Sequence, residues 1–188
     1  VPMREIETTA MFVDREAQIQ LLGCTIDYFA TNRLTMRAGR FLTDSDGENA
    51  DNVCVIADFV AKELFPFEDP IGKTIRIDRN FYTVIGHTAE RQDAAAIGGS
   101  LAGRSYNKDV YIPLETLRTR IGDQVATSID SFESEVVELS QITISCKTLE
   151  LVPDTASIVR VLLEQSHNKE NPDYTITIPS ELLESAKK

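Results

Sequence analysis

The longest uninterrupted apolar run in the chain is five residues, Val53 to Ala57. A run of that length fills one buried strand, whereas spanning a bilayer takes about 18 residues or more. The core must therefore be assembled from short strands and short amphipathic helices, and no segment is expected to cross a membrane. The clearest of these pieces is a hairpin. Thr74 to Ile77 and Phe81 to Ile85 alternate apolar and polar residues on either side of Asp78-Arg79-Asn80, and such alternation around a polar turn predicts two antiparallel strands. A second hairpin is expected over residues 3–24, with its turn in Val13-Asp14-Arg15-Glu16.

Between and beyond these hairpins the pattern is mixed. Thr25 or Asp27 is placed to cap a short helix through Tyr28, Phe29 and Ala30, with Asn32 at its C-terminal end, and Leu34-Thr35-Met36 reads as a brief strand leading to Gly39-Arg40-Phe41. The acidic stretch Asp44 to Asp51 reads as a solvated loop, and Val53 to Ala57 as a buried strand. Asp58 is expected to cap a helix carrying Phe59, Val60, Leu64 and Phe65 at helical spacing, which Pro66 and Pro70 terminate. Residues 88–108 carry Ala, Gly, Ser and charge without a period and read as a long loop. Val110 to Leu114 is a strand, and Glu115 to Ile121 a helix closed by Gly122. The last third reads as a strand over 141–146, a helix over 153–167 with one apolar stripe of Ile158, Val161 and Leu162, and a strand over 174–178. A helix is expected at 180–188. The fold class is α+β, with a strand-rich middle and a βαβ ending of different character.

The chain has 188 residues, enough for a sizeable core, and its 19 Lys and Arg against 30 Asp and Glu give a net charge of −11. That balance disfavours nucleic acid and anionic membrane surfaces, which are held by cationic side chains. The cysteines, Cys24, Cys54 and Cys146, are odd in number and widely spaced, which excludes a zinc ribbon or a thioredoxin-like motif. Cys54 and Cys146 fall in apolar strand-like runs, where a thiol packs as a small hydrophobe. The first residues, Val1-Pro2-Met3-Arg4-Glu5, hold neither a signal peptide nor an initiator Met, and the chain reads as a segment of a longer polypeptide.

Four motifs come close to chemistry, and each lacks a part. Gly72-Lys73-Thr74 ends like a phosphate-binding loop, but Phe67 stands where the first glycine belongs and a strand follows instead of a helix. Gly98-Gly99-Ser100-Leu101-Ala102 approaches a nucleophile elbow, with Ala102 in place of its last glycine and no strand before the serine. Asp44-Ser45-Asp46-Gly47 hints at a calcium loop, yet Asn49 occupies the sixth position and Val55 the twelfth. His87 closes a strand and His167 sits in the last turn of a helix, where the dipole favours partial positive charge. These readings give no catalytic residue, no cofactor-binding residue and no metal ligand.

Several pieces recur in a fixed order: Gly39-Arg40-Phe41, the strand at Val53, the helix ending Glu63-Leu64-Phe65, Asp69-Pro70-Ile71-Gly72-Lys73-Thr74-Ile75, Phe81 to Gly86, Val110 to Leu114, and the terminal strand-helix-strand before Leu182-Leu183. This order resembles the periplasmic core domain of MacB-type ABC transporter permeases, in the wider FtsX- and LolE-like superfamily. The resemblance runs from about Ala17 to Ala186 and is weakest over 88–108 and 123–135. It implies a porter-like split βαβ subdomain from 1–40 and 136–188, with an inserted strand-rich subdomain over 41–135. It also implies that the family's first porter strand and helix precede residue 1, which would leave an uncovered edge or apolar patch and favour self-association. The matched residues read as structural: Pro70 and Gly72 turn the chain from helix to hairpin above Phe65 and Ile71.

The function expected from the resemblance is transmission of ATP-driven transmembrane motion to an external substrate or partner, in export or lipoprotein handling. The domain would lie on the periplasmic side of a bacterial cytoplasmic membrane and would not itself be an enzyme. The implied partners are a cytoplasmic ABC ATPase subunit or domain, the transmembrane helices of the parent permease, a periplasmic adaptor and a second copy of the chain, with no nucleic acid and no cofactor. Two alternatives are a secreted serine hydrolase using Ser100 and a binding module that captures a ligand with loop 88–108.

Overall fold

A computed structural model describes residues 1–91, 106–122, 124–126, 134–167 and 173–178. Two compact units divide the chain: residues 1–92 with 105–143, and residues 93–104 with 144–188.

The first unit is organised by a ring of strands. Its first hairpin pairs β1 (Pro2–Phe12) with β2 (Arg15–Cys24) in register from Met3↔Cys24 to Phe12↔Arg15. The second pairs β5 (Thr74–Ile77) with β6 (Asn80–Thr88), from Thr74↔Thr83 to Ile77↔Asn80. Both expected hairpins are present, each with a two-residue turn whose first residue takes positive φ: Val13 at 54° and Asp78 at 52°. Between them lie β4 (Val53–Ile56) and β7 (Asp109–Pro113), with β7 parallel to β2 and antiparallel to β4, and β4 parallel to β6. Ala10↔Ile77 and Met11↔Arg76 then join β1 to β5. The path β1-β2-β7-β4-β6-β5 therefore returns to β1 as a closed barrel, in which six strands have no free edge. Two further strands extend it, β10 (Gln141–Ile142) on β1 and β3 (Met36–Gly39) on β6.

The alternation of these strands sorts their side chains into two clusters. One gathers Ala17, Ile19, Leu21, Cys54, Ile56, Ile75, Ile77, Tyr82, Val84, Val110 and Ile112, packed with Val60, Ala61 and Leu64 of helix α3 (Asp58–Leu64) and Leu117 of helix α4 (Leu114–Arg120). The other gathers Leu22, Cys24, Val55 and Tyr111 beneath Tyr28 and Phe29 of α1 (Asp27–Thr31) and Leu42. Fully burying one such aliphatic or aromatic side chain contributes about 1.5–3 kcal/mol, so both faces are held mainly by apolar burial.

Several expectations need correction. The boundary expected at residue 40 falls inside the barrel, because β1 and β2 supply two of its strands and hydrogen-bond to β5 and β7. The acidic stretch is not a loop throughout: helix α2 (Asp44–Glu48) occupies it. The N-cap of α1 is Ile26 and that of α3 is Ala57, and neither receives a side-chain cap, so Thr25, Asp27 and Asp58 do not play that part. At the other end of α1 the Asn32 amide does donate to the Tyr28 carbonyl at 2.9 Å. Strand β3 starts at Met36, two residues beyond the expected Leu34. Over 123–135, read only as polar, β8 (Gln124–Ala126) pairs with β9 (Ser134–Val136).

In the second unit, helix α5 (Val152–Ser166) begins with Pro153 in its first turn. Its stripe of Ile158, Val161 and Leu162 is present but more than half exposed. His167 lies just past the helix as its C-cap, with its ring nitrogen 2.6 Å from Asp173. Residues 173–178 form no strand, and of the strand expected at 141–146 only Gln141–Ile142 forms. Ser100, most of loop 88–108 and the helix expected at 180–188 lie outside the described residues.

Candidate functional site

Asp58 is the first residue of α3, and its side chain is only 2% exposed. It meets charge from three elements. Lys62, one turn along the same helix, places Nζ 2.5 Å from Oδ2. Arg37 of β3 reaches Oδ1 at 3.2 Å, and His87 of β6 brings Nε2 to 3.6 Å from the same oxygen. Glu90 takes a second contact from Lys62 at 3.0 Å.

The backbone explains how Arg37 arrives there. Met36 pairs with Thr88 and Ala38 with His87, so Arg37 is the extra residue of a β-bulge. A bulge bends its strand and re-aims a side chain, and here the guanidinium turns toward α3. The sequence separates Asp58 from His87 by a helix, a turn and a hairpin, and its local patterns give no sign that the two meet.

The electrostatics follow from this crowding. Burial alone would raise the pKa of Asp58, but the Lys62 hydrogen bond and the charges of Lys62, His87 and Arg37 more than offset it, and the carboxyl sits below its usual range. Burial is also the largest influence on His87 and pushes its pKa below the ordinary value, against the attraction of Asp58 and with the repulsion of Arg37. Beside this cluster a small open cleft is lined by Asp58, Phe59, Lys62, Glu90, Asn107 and Lys108. The Lys108 ammonium lies 5.4 Å from the centre of the Phe59 ring.

A second polar node fixes the Gly39-Arg40-Phe41 turn. Arg40 donates from Nη1 to Asp46 Oδ2 at 2.7 Å and from Nη2 to Oδ1 at 2.9 Å. The backbone N–H and the hydroxyl of Thr43 also donate to Oδ2, each at 2.7 Å. Asp46 thereby closes a capping box on α2. The Arg40 hydrogen bonds outweigh burial and hold its pKa down to about 2. The run read as a solvated face thus contains a carboxylate that is 4% exposed.

The remaining singled-out residues are placed as follows. Gly72 has φ 80° in the turn before β5, Asp69 accepts from the Ile71 N–H at 3.0 Å, and Lys73 pairs with Glu68 at 2.5 Å. This is the turn that the proline and glycine spacing predicts, with Phe65 buried and Ile71 packed against the core. Cys24 and Cys54 are buried free thiols, and burial pushes Cys54 far above the ordinary thiol value. Cys146 is half-buried and lies in no strand. Among the described residues no group of three or more His, Cys, Asp or Glu side chains is spaced to hold a metal, and no helix is long and apolar enough to cross a membrane.

The arrangement ties strands and helices together through ion pairs between buried carboxylates and exposed cations. The family of MacB-like periplasmic core domains matches residues 1–160. The chain belongs to that family.

Relatives of this MacB-like domain include the macrolide export ATP-binding/permease protein MacB of Aggregatibacter actinomycetemcomitans, 31% identical over 126 residues, which covers 64% of this chain and 18% of that protein. The protein of the same name from Marinobacter nauticus is 22% identical over 177 residues, covering 94% of this chain and 24% of that protein. The chain thus spans less than a quarter of either relative. The fold is shared with two crystal structures. One is the extracellular domain of the noncanonic ABC-type transporter YknZ from Gram-positive bacteria, with TM-score 0.67 and 19% identity over 88% of this chain and 74% of that one. The other is the periplasmic region of MacB from Actinobacillus actinomycetemcomitans, with TM-score 0.65 and 18% identity over 99% of this chain and 74% of that one. In the relatives the matched region belongs to a transporter permease. In this MacB-like domain, the Gly39 to Phe41 turn, the Asp69 to Ile75 turn and the Phe81 to Gly86 strand are parts of the barrel and its supports.

Proposed function

We propose that this domain works outside the cytoplasmic membrane as part of an ABC transporter permease, passing ATP-driven movement of membrane helices to an external substrate or partner. The observation that carries the reading is barrel closure beside the paired ends of two strands. The Val1 backbone nitrogen donates to the Thr143 carbonyl at 2.7 Å and the Thr143 N–H donates back to the Val1 carbonyl at 2.9 Å. Movement applied at either residue is shared by both and enters β1, whose ladder with β2 runs nearly its whole length. A sheet closed on itself resists shear between neighbouring strands, because no strand can slip without breaking pairing on both sides. The barrel unit would then move as a body between two arrangements that differ by a few kcal/mol, biased through the attached helices.

The partners in this reading are a cytoplasmic ABC ATPase, the membrane helices of the parent permease, a periplasmic adaptor and a second copy. The porter-like subdomain would include residues 144–188, where α5 lies, and the cargo would be an exported compound or a lipoprotein. The test is a short Gly-Ser insertion in the segment of the parent permease that joins a membrane helix to this domain. ATP turnover should persist while export of a macrolide probe falls. Unchanged export through the lengthened connection overturns the reading.

A further inference from the structure

We propose that His87 is a proton-operated competitor of Arg37 for one oxygen of Asp58, so that mild acid releases the bulged edge strand β3 from helix α3. Asp58 offers two carboxylate oxygens, and Oδ2 is committed to Lys62 at 2.5 Å. Arg37 occupies Oδ1 at 3.2 Å, and His87 Nε2 waits 3.6 Å from that same atom, beyond hydrogen-bond distance and without another partner among the described residues. A neutral imidazole in this position gains little from Asp58. A protonated one must either pair with Oδ1 or stay buried and uncompensated, which is much the costlier outcome.

The three cations differ in what they lose by letting go. The His87 side chain is 11% exposed, whereas those of Arg37 and Lys62 are 62% and 56% exposed. Arg37 and Lys62 can recover hydration on leaving, and His87 cannot. Lys62 keeps Oδ2 and is tied to Glu90 as well, so Arg37 is the group that yields. The charged groups facing His87 are Asp58 from α3, Arg37 from β3 and Asp69 from the turn before β5, while Lys62 of α3 contacts Asp58 and Glu90 after β6 contacts Lys62. Among them only the Arg37 contact lies on the same oxygen. Arg37 is also the extra residue of the bulge, so its contact with Oδ1 is what ties this part of β3 to α3. Among the described residues β3 pairs with β6 alone, and freeing Arg37 loosens it without opening the barrel.

The experiment is hydrogen exchange of the backbone amides of residues 36–39 in the 188-residue chain at pH 7.5 and pH 5.0, corrected for intrinsic exchange rates. The chain has only two histidines, so His167→Gln serves as the control. Loss of a charge-assisted contact should speed exchange in β3 about tenfold or more at the lower pH, while amides of β2 and β7 stay protected. His87→Gln should abolish the response. Because that buried substitution could also disturb folding, Arg37→Gln provides a second arm: it should exchange fast in β3 at both pH values. A pH response that survives in His87→Gln, or β3 amides equally protected at both pH values in the unaltered chain, overturns the proposal.

Discussion

Gly39 and Gly86 face each other across β3 and β6, and neither position has room for a side chain. A Cβ on Gly39 would lie 2.2 Å from the Ile85 carbonyl oxygen, and one on Gly86 would lie 2.2 Å from the Arg40 carbonyl oxygen. Both contacts are with backbone, which cannot swing aside. The close approach lets the Arg40 N–H reach the Ile85 carbonyl at 3.0 Å and sets Arg40 in line with Asp46.

Gly86→Ala should therefore be among the most destabilising single changes, by about 2–3 kcal/mol or more, as expected for forcing a methyl group into a packed backbone contact. Urea unfolding monitored by circular dichroism measures it. A loss below about 0.5 kcal/mol, the size of an ordinary surface substitution, would show that the two strands can separate freely.

Asp46 should make stability acid-sensitive. Its folded pKa is about 2, below the ordinary value of 3.8, so the unfolded chain binds the proton more readily. The stabilisation is complete above pH 3.8 and disappears as pH falls toward 2. The difference corresponds to about 2 kcal/mol. Asp46→Asn should remove roughly that much at pH 7 and progressively less as the pH drops through this window, measured as the gap between the two unfolding curves. A gap that stays constant with pH would mean that Arg40 does not hold the carboxylate.

Val13 is strained. A β-branched side chain at φ 54° is an outlier, and this one is 78% exposed and buries nothing in return. Val13→Asn, which tolerates the left-handed region, should stabilise the chain by about 1 kcal/mol, or about 2–4 °C in Tm for a chain of this size. Differential scanning calorimetry decides it, and a lower Tm would contradict the assignment of strain.

Tyr82 presents a buried hydroxyl without a hydrogen-bond partner among the described residues, and burial pushes its pKa up to about 12. Tyr82→Phe removes an unsatisfied polar group while keeping the ring, so stability should hold or rise by up to about 1 kcal/mol. A loss of more than about 1 kcal/mol in chemical denaturation would show that the hydroxyl has a partner worth keeping.

What the sequence makes legible here is local. Both hairpins can be read because alternation and turn residues sit within a dozen positions of one another, and the Asp69 to Lys73 turn because Pro and Gly limit the backbone directly. Barrel closure cannot be read, since it rests on Ala10 meeting Ile77, a pairing that no short pattern encodes. The same holds for Asp58 and His87. Asp46 is a different case: Thr43 three residues before it is the spacing of a capping box, a signal obscured by the surrounding charge, which by composition alone reads as solvated. The stripe of α5 is visible as a period but not as a buried surface, because periodicity reports which residues share a face and not what covers them.

The central claim of the proposed function is that the barrel unit moves when the transporter turns over, and a distance measurement in the parent permease tests it most directly. Phe67 is 92% exposed at the turn after α3, so a spin label introduced as Phe67→Cys, in a background carrying Cys146→Ser to avoid the half-buried thiol, reports its position without disturbing the core. The account predicts that the distance between labels on two copies shifts between the nucleotide-free and ATP-trapped states. An unchanged distance in both states, with ATP hydrolysis intact, would contradict it.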